Sequence, residues 1–178
     1  MKNVIKTSSI LVCLSFLFSN TAYGQNDYSK EVSSLDNIIT ALYASISGEK
    51  GEPRQWELFT TLFTENAQLI PTFKNKEGKI GFQSMSPAEY KEGNGEWLVT
   101  NGFHETETHR VVDSYGPVVH VFSTYDSRNS KNDEKPFARG INSIQLLNDG
   151  ERWWIMNIYW SAETTENPIP DKYLSHEQ

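Results

Sequence analysis

Residues 153–162 read WWIMNIYWSA and are the last of four runs of one kind. The others are Phe103–Ser114 (FHETETHRVVDS), Val118–Tyr125 (VVHVFSTY) and Phe137–Leu147 (FARGINSIQLL). Val, Ile, Thr and aromatic side chains crowd all four, and such residues suit a pleated, half-buried surface. Turn-forming stretches divide them: Asp113–Pro117, Asp126–Pro136 and Asn148-Asp149-Gly150. Separators this short join antiparallel neighbours, so the reading is a four-strand meander. Asp126–Pro136, the longest, is polar and reads as a flap. With strict alternation, Trp154, Met156, Ile158 and Trp160 share one face of the last strand. Trp153, Ile155, Asn157 and Tyr159 share the other. Both faces carry large apolar groups. Helices can cover one, and the other then calls for a second copy of the chain, a homodimer through the sheet.

The helices precede the meander. Leu35, Ile38, Ile39, Leu42 and Ile46 form one apolar stripe at helical period, which predicts a helix over 29–47. Pro53 sits where a first turn tolerates it. Trp56, Phe59 and Phe63 follow on one face, predicting a second helix over 53–64. Residues 67–73 and 80–85 read as a hairpin around the charged stretch 74–79. Ser86-Pro87-Ala88-Glu89 is a capping box that starts a third helix at Pro87. Gly93 and Gly95 predict that this helix is short or broken.

Residues 1–24 read as a cleaved secretory signal. Lys2 and Lys6 supply the positive start, Ile10–Phe18 the short apolar run, and Ala22 and Gly24 the small residues before the cut. The apolar run is about half of the roughly 20 residues a spanning helix needs. The expectation is a periplasmic or secreted bacterial protein with no membrane attachment after cleavage. Residues 25–165 then form one domain and 166–178 a tail, where Pro168 and Pro170 oppose regular structure.

Composition excludes several function classes. The chain has 178 residues, 16 Lys+Arg against 23 Asp+Glu, and a net charge of −7. Nucleic-acid binding needs clustered cations, which an acidic chain of mixed charge lacks. Cys13 is the one cysteine and lies inside the signal, so neither a disulfide framework nor a thiolate zinc site is available. No Gly-x-Ser-x-Gly elbow occurs, and Gly93-Asn94-Gly95 lacks the third glycine of a dinucleotide loop. No cofactor is implied.

The order of elements, over residues 30–162, resembles the NTF2-like or SnoaL-like superfamily. The stretches that carry the resemblance are Gly102-Phe103-His104-Glu105, Val118–Tyr125, Arg139–Leu147 (RGINSIQLL) and Arg152–Trp160 (RWWIMNIYW). The tail Asn167–Leu174 (NPIPDKYL) is similar to that of a subgroup of small secreted bacterial proteins. The resemblance implies an α+β fold: a cone, with a curved antiparallel sheet wrapped on three helices of the N-terminal half and a pocket between. It also implies a choice of activities. Members include isomerases, dehydratases, polyketide cyclases and non-catalytic binding or assembly modules. The acid and base residues of the enzyme members map onto no motif of this chain.

Chemistry is therefore sought residue by residue. His104 and His109 are five apart on a strand, and a helical zinc motif needs four, so no metal site is expected. Period 2 instead places Glu105, Glu107 and His109 on one face. Glu105 and His109 are the candidate catalytic pair, since a buried carboxylate or imidazole can act as a general base. His120, among Val119, Val121 and Phe122, reads as a satisfied core or interface histidine. Arg139 can bind an anionic group or form an ion pair with Glu105. Asn142 offers a donor and an acceptor that need partners if it faces inward. Tyr125, Tyr159 and Trp160 complete the candidate ligand-binding set, lining an apolar pocket. The first reading is an exported domain that binds a small apolar or aromatic molecule. The alternatives are a SnoaL-like isomerase, dehydratase or cyclase using a pocket carboxylate or histidine, and a non-catalytic dimeric interaction module.

Overall fold

The computed structural model describes residues 26–175, so the signal read at 1–24 lies outside the described residues. The elements run α1 (Leu35–Ile46), α2 (Trp56–Thr61), β1 (Phe63–Lys74), β2 (Ile80–Phe82), α3 (Pro87–Asn101), β3 (His104–Tyr115), β4 (Val118–Arg128), β5 (Ala138–Asn148) and β6 (Trp153–Ala162). A short 3-10 turn, Asp171–Tyr173, follows in the tail.

Local chemistry sets the helix limits. Ser34 caps α1 by accepting from the Asn37 N–H at 3.1 Å, so α1 begins there and not at residue 29. Its stripe, Ile38, Ile39, Leu42 and Ile46, is buried as expected. Each such side chain contributes about 1.5–3 kcal/mol on leaving water. The second helix ends before Phe63 because Phe63 enters the sheet opposite Ile155. At α3 the capping box forms in full, with Ser86 Oγ accepting from Glu89 N and the Glu89 carboxylate accepting from Ser86 N. This helix is neither short nor broken. Gly93 faces open space, and at Gly95 a Cβ would stand 3.1 Å from the Trp56 ring. Gly95 is thus the spot where α2 approaches α3.

The expected curved, all-antiparallel cone does not form. The sheet is open and mixed, in the order β2-β1-β6-β5-β4-β3. Its edges β2 and β3 do not meet, and β1 runs parallel to β6. Parallel neighbours need a long crossover, and everything from β2 to β5 supplies it.

The meander itself forms, with two breaks in its alternation. In β6, Gln145 pairs with Asn157 and Leu146 with Ile155, so Met156 is a bulge residue. Ile155 and Ile158 are therefore both buried, while Met156 and Tyr159 are exposed. The strict two-face division read for this strand does not hold. In β3, Glu107 pairs with Tyr125 and His109 with Thr124, leaving Thr108 unpaired. The inner face, with Val119, Val121, Tyr125, Ile144, Leu146, Ile155 and Ile158, packs with the helices into one core.

The chain's own tail meets part of the outer face. Thr124 Oγ1 donates to the Tyr173 carbonyl at 2.7 Å, and the Tyr173 ring stands 4.9 Å from that of Phe122. The Ile169 N–H donates to Glu163 at 2.9 Å, and the Ile169 side chain is buried.

Candidate functional site

Between α1, α3 and the inner face of the sheet lies a cavity of about 240 Å³. Leu42, Phe59, Leu69, Tyr90, Ile158 and Trp160 make much of its wall. At its edge Trp97, Phe103 and Phe137 form a triangle of rings, with centroids 6.2–6.4 Å apart. Trp97 and Phe137 are about half exposed, at 49% and 52%, so this cluster faces solvent on one side and the cavity on the other.

Among the described residues, Glu105 is the one carboxylate on that wall, and no Lys, Arg or His lines it. It is the second residue of β3, and its backbone N–H donates to Ser47 Oγ at 3.0 Å, just past the end of α1. Ser127 Oγ donates to its Oε2 at 3.1 Å, and Asn142 Nδ2 to its Oε1 at 3.3 Å. Burial disfavours the charged form and pushes Glu105 up to about 7. The Ser127 and Asn142 hydrogen bonds oppose that rise without cancelling it. Tyr43, Tyr90 and Tyr125 are pushed well above the ordinary phenol range, first by burial and then by the Glu105 charge. They remain neutral hydroxyls.

A polar chain leads away from this carboxylate. Asn142 Nδ2 also lies 3.1 Å from Tyr43 Oη, and Tyr43 Oη is 2.7 Å from Ser123 Oγ. Ser123 donates to Glu107 Oε1 at 2.5 Å. Arg110 grips Glu107 through its Nε, at 3.0 Å from both oxygens, and reaches Asp36 at 2.6 Å.

The structure separates the residues read from sequence. Glu105, Tyr125, Asn142 and Trp160 line the cavity. The partners that Asn142 requires are Tyr43 and Glu105. Tyr159 is on the outer face, beside the tail. Arg139 does not pair with Glu105. It bonds Asp126 at 3.2 Å and lies 3.5 Å from Glu163. The Thr108 bulge turns His109 away from Glu105 and Glu107 and puts Arg110 on their side. His120 bonds Ser143 at 2.8 Å, half-buried. His104 is buried 3.0 Å from Glu49. Among the described residues, no three His, Cys, Asp or Glu side chains converge as a metal site.

By sequence, no family profile and no curated protein matches the chain. Solved structures do resemble it. A protein of unknown function with a cystatin-like fold from Nostoc punctiforme is 11% identical, over 73% of this chain and 89% of its own, with a TM-score of 0.54. An NTF2-like protein of unknown function from Silicibacter pomeroyi is 12% identical, over 78% of this chain and 100% of its own, with a TM-score of 0.52. A Mycobacterium tuberculosis protein of unknown function is 12% identical, over 76% and 78%, with a TM-score of 0.54. The fold is NTF2-like. That likeness reaches the broad NTF2-like and cystatin-like fold and no narrower subgroup.

Tyr43, Tyr90, Trp97, Phe103 and Ser123 belong to the site without having been singled out by sequence. Tyr43 carried one usable signal. It follows Leu42 on the flank of the α1 stripe, where a hydroxyl at the margin of an apolar face needs a buried partner.

Proposed function

We propose that the cavity binds a small, neutral, largely apolar molecule, and that Glu105 accepts a hydrogen bond or a proton from it. One observation carries this reading: a carboxylate with no cationic partner among the described residues borders a cavity walled mostly by rings and aliphatic chains. Above its midpoint of about 7 Glu105 is charged, and a carboxylate ligand would meet it with like charge in a medium of low dielectric, so anions are rejected there. The volume is below the roughly 300–1,000 Å³ of drug-sized pockets, which limits the ligand to about two fused rings. Residues 1–24 support export, and we place this binding outside the cytoplasm.

The test is a thermal-shift comparison, at pH 8, of 2-tetralone, 2-naphthol and 2-naphthoate. At a hundredfold excess over Kd a bound ligand stabilises by about 2.7 kcal/mol. The expected result is a higher Tm with the two neutral compounds and none with the naphthoate. Equal shifts for all three, or no shift for any, would overturn the reading. Ala138→Phe, which projects a ring into the cavity, should remove the shifts.

A second reading follows from the position of the Glu105 midpoint, near neutral. A base poised there can take a proton from a weakly acidic C–H and return it elsewhere on the same molecule. This favours an isomerase or related lyase. It predicts that the protein accelerates exchange of the α-hydrogens of 2-tetralone in deuterated water, followed by proton NMR, and that Glu105→Gln abolishes the acceleration. Binding without accelerated exchange would leave a binding protein and remove the enzyme.

A further inference from the structure

The polar chain behind Glu105 has a direction, and that direction can be deduced. Glu107 is clamped by Arg110 and, as a carboxylate, can only accept. Ser123 has a single hydroxyl hydrogen and spends it on Glu107. Toward Tyr43 it must accept, so the Tyr43 hydrogen points at Ser123. Tyr43 Oη must then accept from Asn142, which only the amide nitrogen can provide. That same nitrogen faces Glu105, which therefore accepts at Oε1. The reverse order would need a hydroxyl hydrogen on each carboxylate, and both Glu107 oxygens already accept from Arg110 Nε.

We propose that Glu107, acting through Ser123 and Tyr43, is a positioning residue that fixes the Asn142 amide and so holds Glu105 as an acceptor toward the cavity. None of these three touches the proposed ligand. They act through Asn142. The inference deepens the cavity reading, and it assigns the ligand the complementary part: the group it presents to the ionised Glu105 is a donor, a hydroxyl, an N–H or an acidic C–H.

The surroundings of Glu105 offer no rival explanation. Tyr43 faces it from α1, Tyr90 from α3 and Tyr125 from β4, all as neutral phenols. Glu107 lies beyond Tyr43 and Ser123. In the open recess between α1 and β3, which Glu105 also borders, the charged or titratable groups besides Tyr43 are Glu52, His104, Glu107, Arg128 and Lys131. Arg128 bonds Asp126, and His104 lies against Glu49.

The experiment is a carbon-13 NMR titration of the Glu105 carboxylate in the ligand-free protein, its resonance assigned with Glu105→Gln. Failure of ligand binding and failure of this inference then show separately. Ser123→Ala keeps every charge but frees the Tyr43 hydrogen to turn toward Asn142, whose oxygen can then face a protonated Glu105. The expected result is a midpoint higher by about one pH unit. Tyr43→Phe should raise it less, since it supplies no reversed donor. Ser143→Ala, on the opposite face of β5, should leave it unchanged. A midpoint in Ser123→Ala that stays put or falls would overturn the proposal. So would an equal rise in Ser143→Ala. If Ser123→Ala does not fold, an unchanged midpoint in Tyr43→Phe overturns it alone.

Discussion

Asn142 reaches Glu105 across β4 on the inner face of the sheet, with Nδ2 3.3 Å from Oε1, while Arg139, three residues earlier on the same strand, never approaches it. The difference is strand parity. Asn142 pairs with Ser123, whose side chain points inward, and Arg139 pairs with Asp126, which points outward. An inward arginine would have held Glu105 ionised at all ordinary pH values. With an amide in that place, the carboxylate is left to titrate near neutrality.

That titration makes stability depend on pH. The folded midpoint of Glu105, about 7, lies above the ordinary value of 4.5. A raised carboxylate stabilises the fold when protonated. The contribution is full below about 4.5 and is lost as pH rises through 7. It amounts to on the order of 3 kcal/mol at most, less in proportion to the solvent that reaches the group. We predict that Glu105→Gln flattens this part of the Tm-against-pH curve between pH 5 and 8 and gives a Tm above wild type at pH 8. A wild-type-like slope in the variant would show that the decline arises elsewhere.

Much of this fold is legible in the residues, for identifiable reasons. The β3–β6 runs and the Ser86 capping box are local, and local chemistry decides them. The α1 stripe is periodic and buried by one face. The bulges at Thr108 and Met156 are different. They arise from ladder partners far away in sequence, and one inserted residue reverses every side chain beyond it. That is why His109 leaves the Glu105 face, and why Ile155 and Ile158 share one. The Asn142–Tyr43–Ser123 chain was invisible for the same reason, since its members come from three elements joined only in the fold.

Gly140 is a second consequence of close approach. It is buried, and a Cβ there would stand 2.4 Å from the Ser161 carbonyl oxygen and 2.5 Å from Tyr125 Oη. The tyrosine hydroxyl could be removed, but the carbonyl belongs to the β5–β6 ladder and cannot withdraw. Gly140→Ala should therefore destabilise by about 1–3 kcal/mol in urea unfolding. Adding Tyr125→Phe should recover only part of that loss. Full recovery would mean that the phenol alone sets the fit.

Among the described residues, Arg54 binds main chain and no acid. Its guanidinium is buried and donates to the carbonyls of Gly48 at 2.8 Å, Glu52 at 2.6 Å and Leu98 at 2.5 Å. It thereby joins the end of α1, the loop after it and the end of α3. Arg54→Ala removes this donor from all three carbonyls in a site that excludes water, and only Gly48 keeps another, the Phe103 N–H at 3.0 Å. The expected loss is about 3 kcal/mol or more, roughly 6–12 °C in Tm for a domain of this size. Arg54→Lys should recover less than half, because a single ammonium cannot span all three acceptors. A lysine variant as stable as wild type would show that only the charge matters.

The tail should prove separable from the core. Its contacts with β3 and β4 are few: the Tyr173 carbonyl bonded to Thr124, the Tyr173 ring on Phe122, and Ser175 bonded to the Thr108 carbonyl. An aromatic pair of this kind contributes about 0.5–1.5 kcal/mol beyond area burial. Tyr173→Ala should therefore release residues 163–175 without unfolding the sheet. The measurements are amide hydrogen exchange and limited proteolysis. Exchange should accelerate at Ile169 and Tyr173, and cleavage should concentrate in the tail, while the amides of Ile144 and Ile155 keep their protection. Acceleration across the whole sheet would instead make the tail part of the cooperative core.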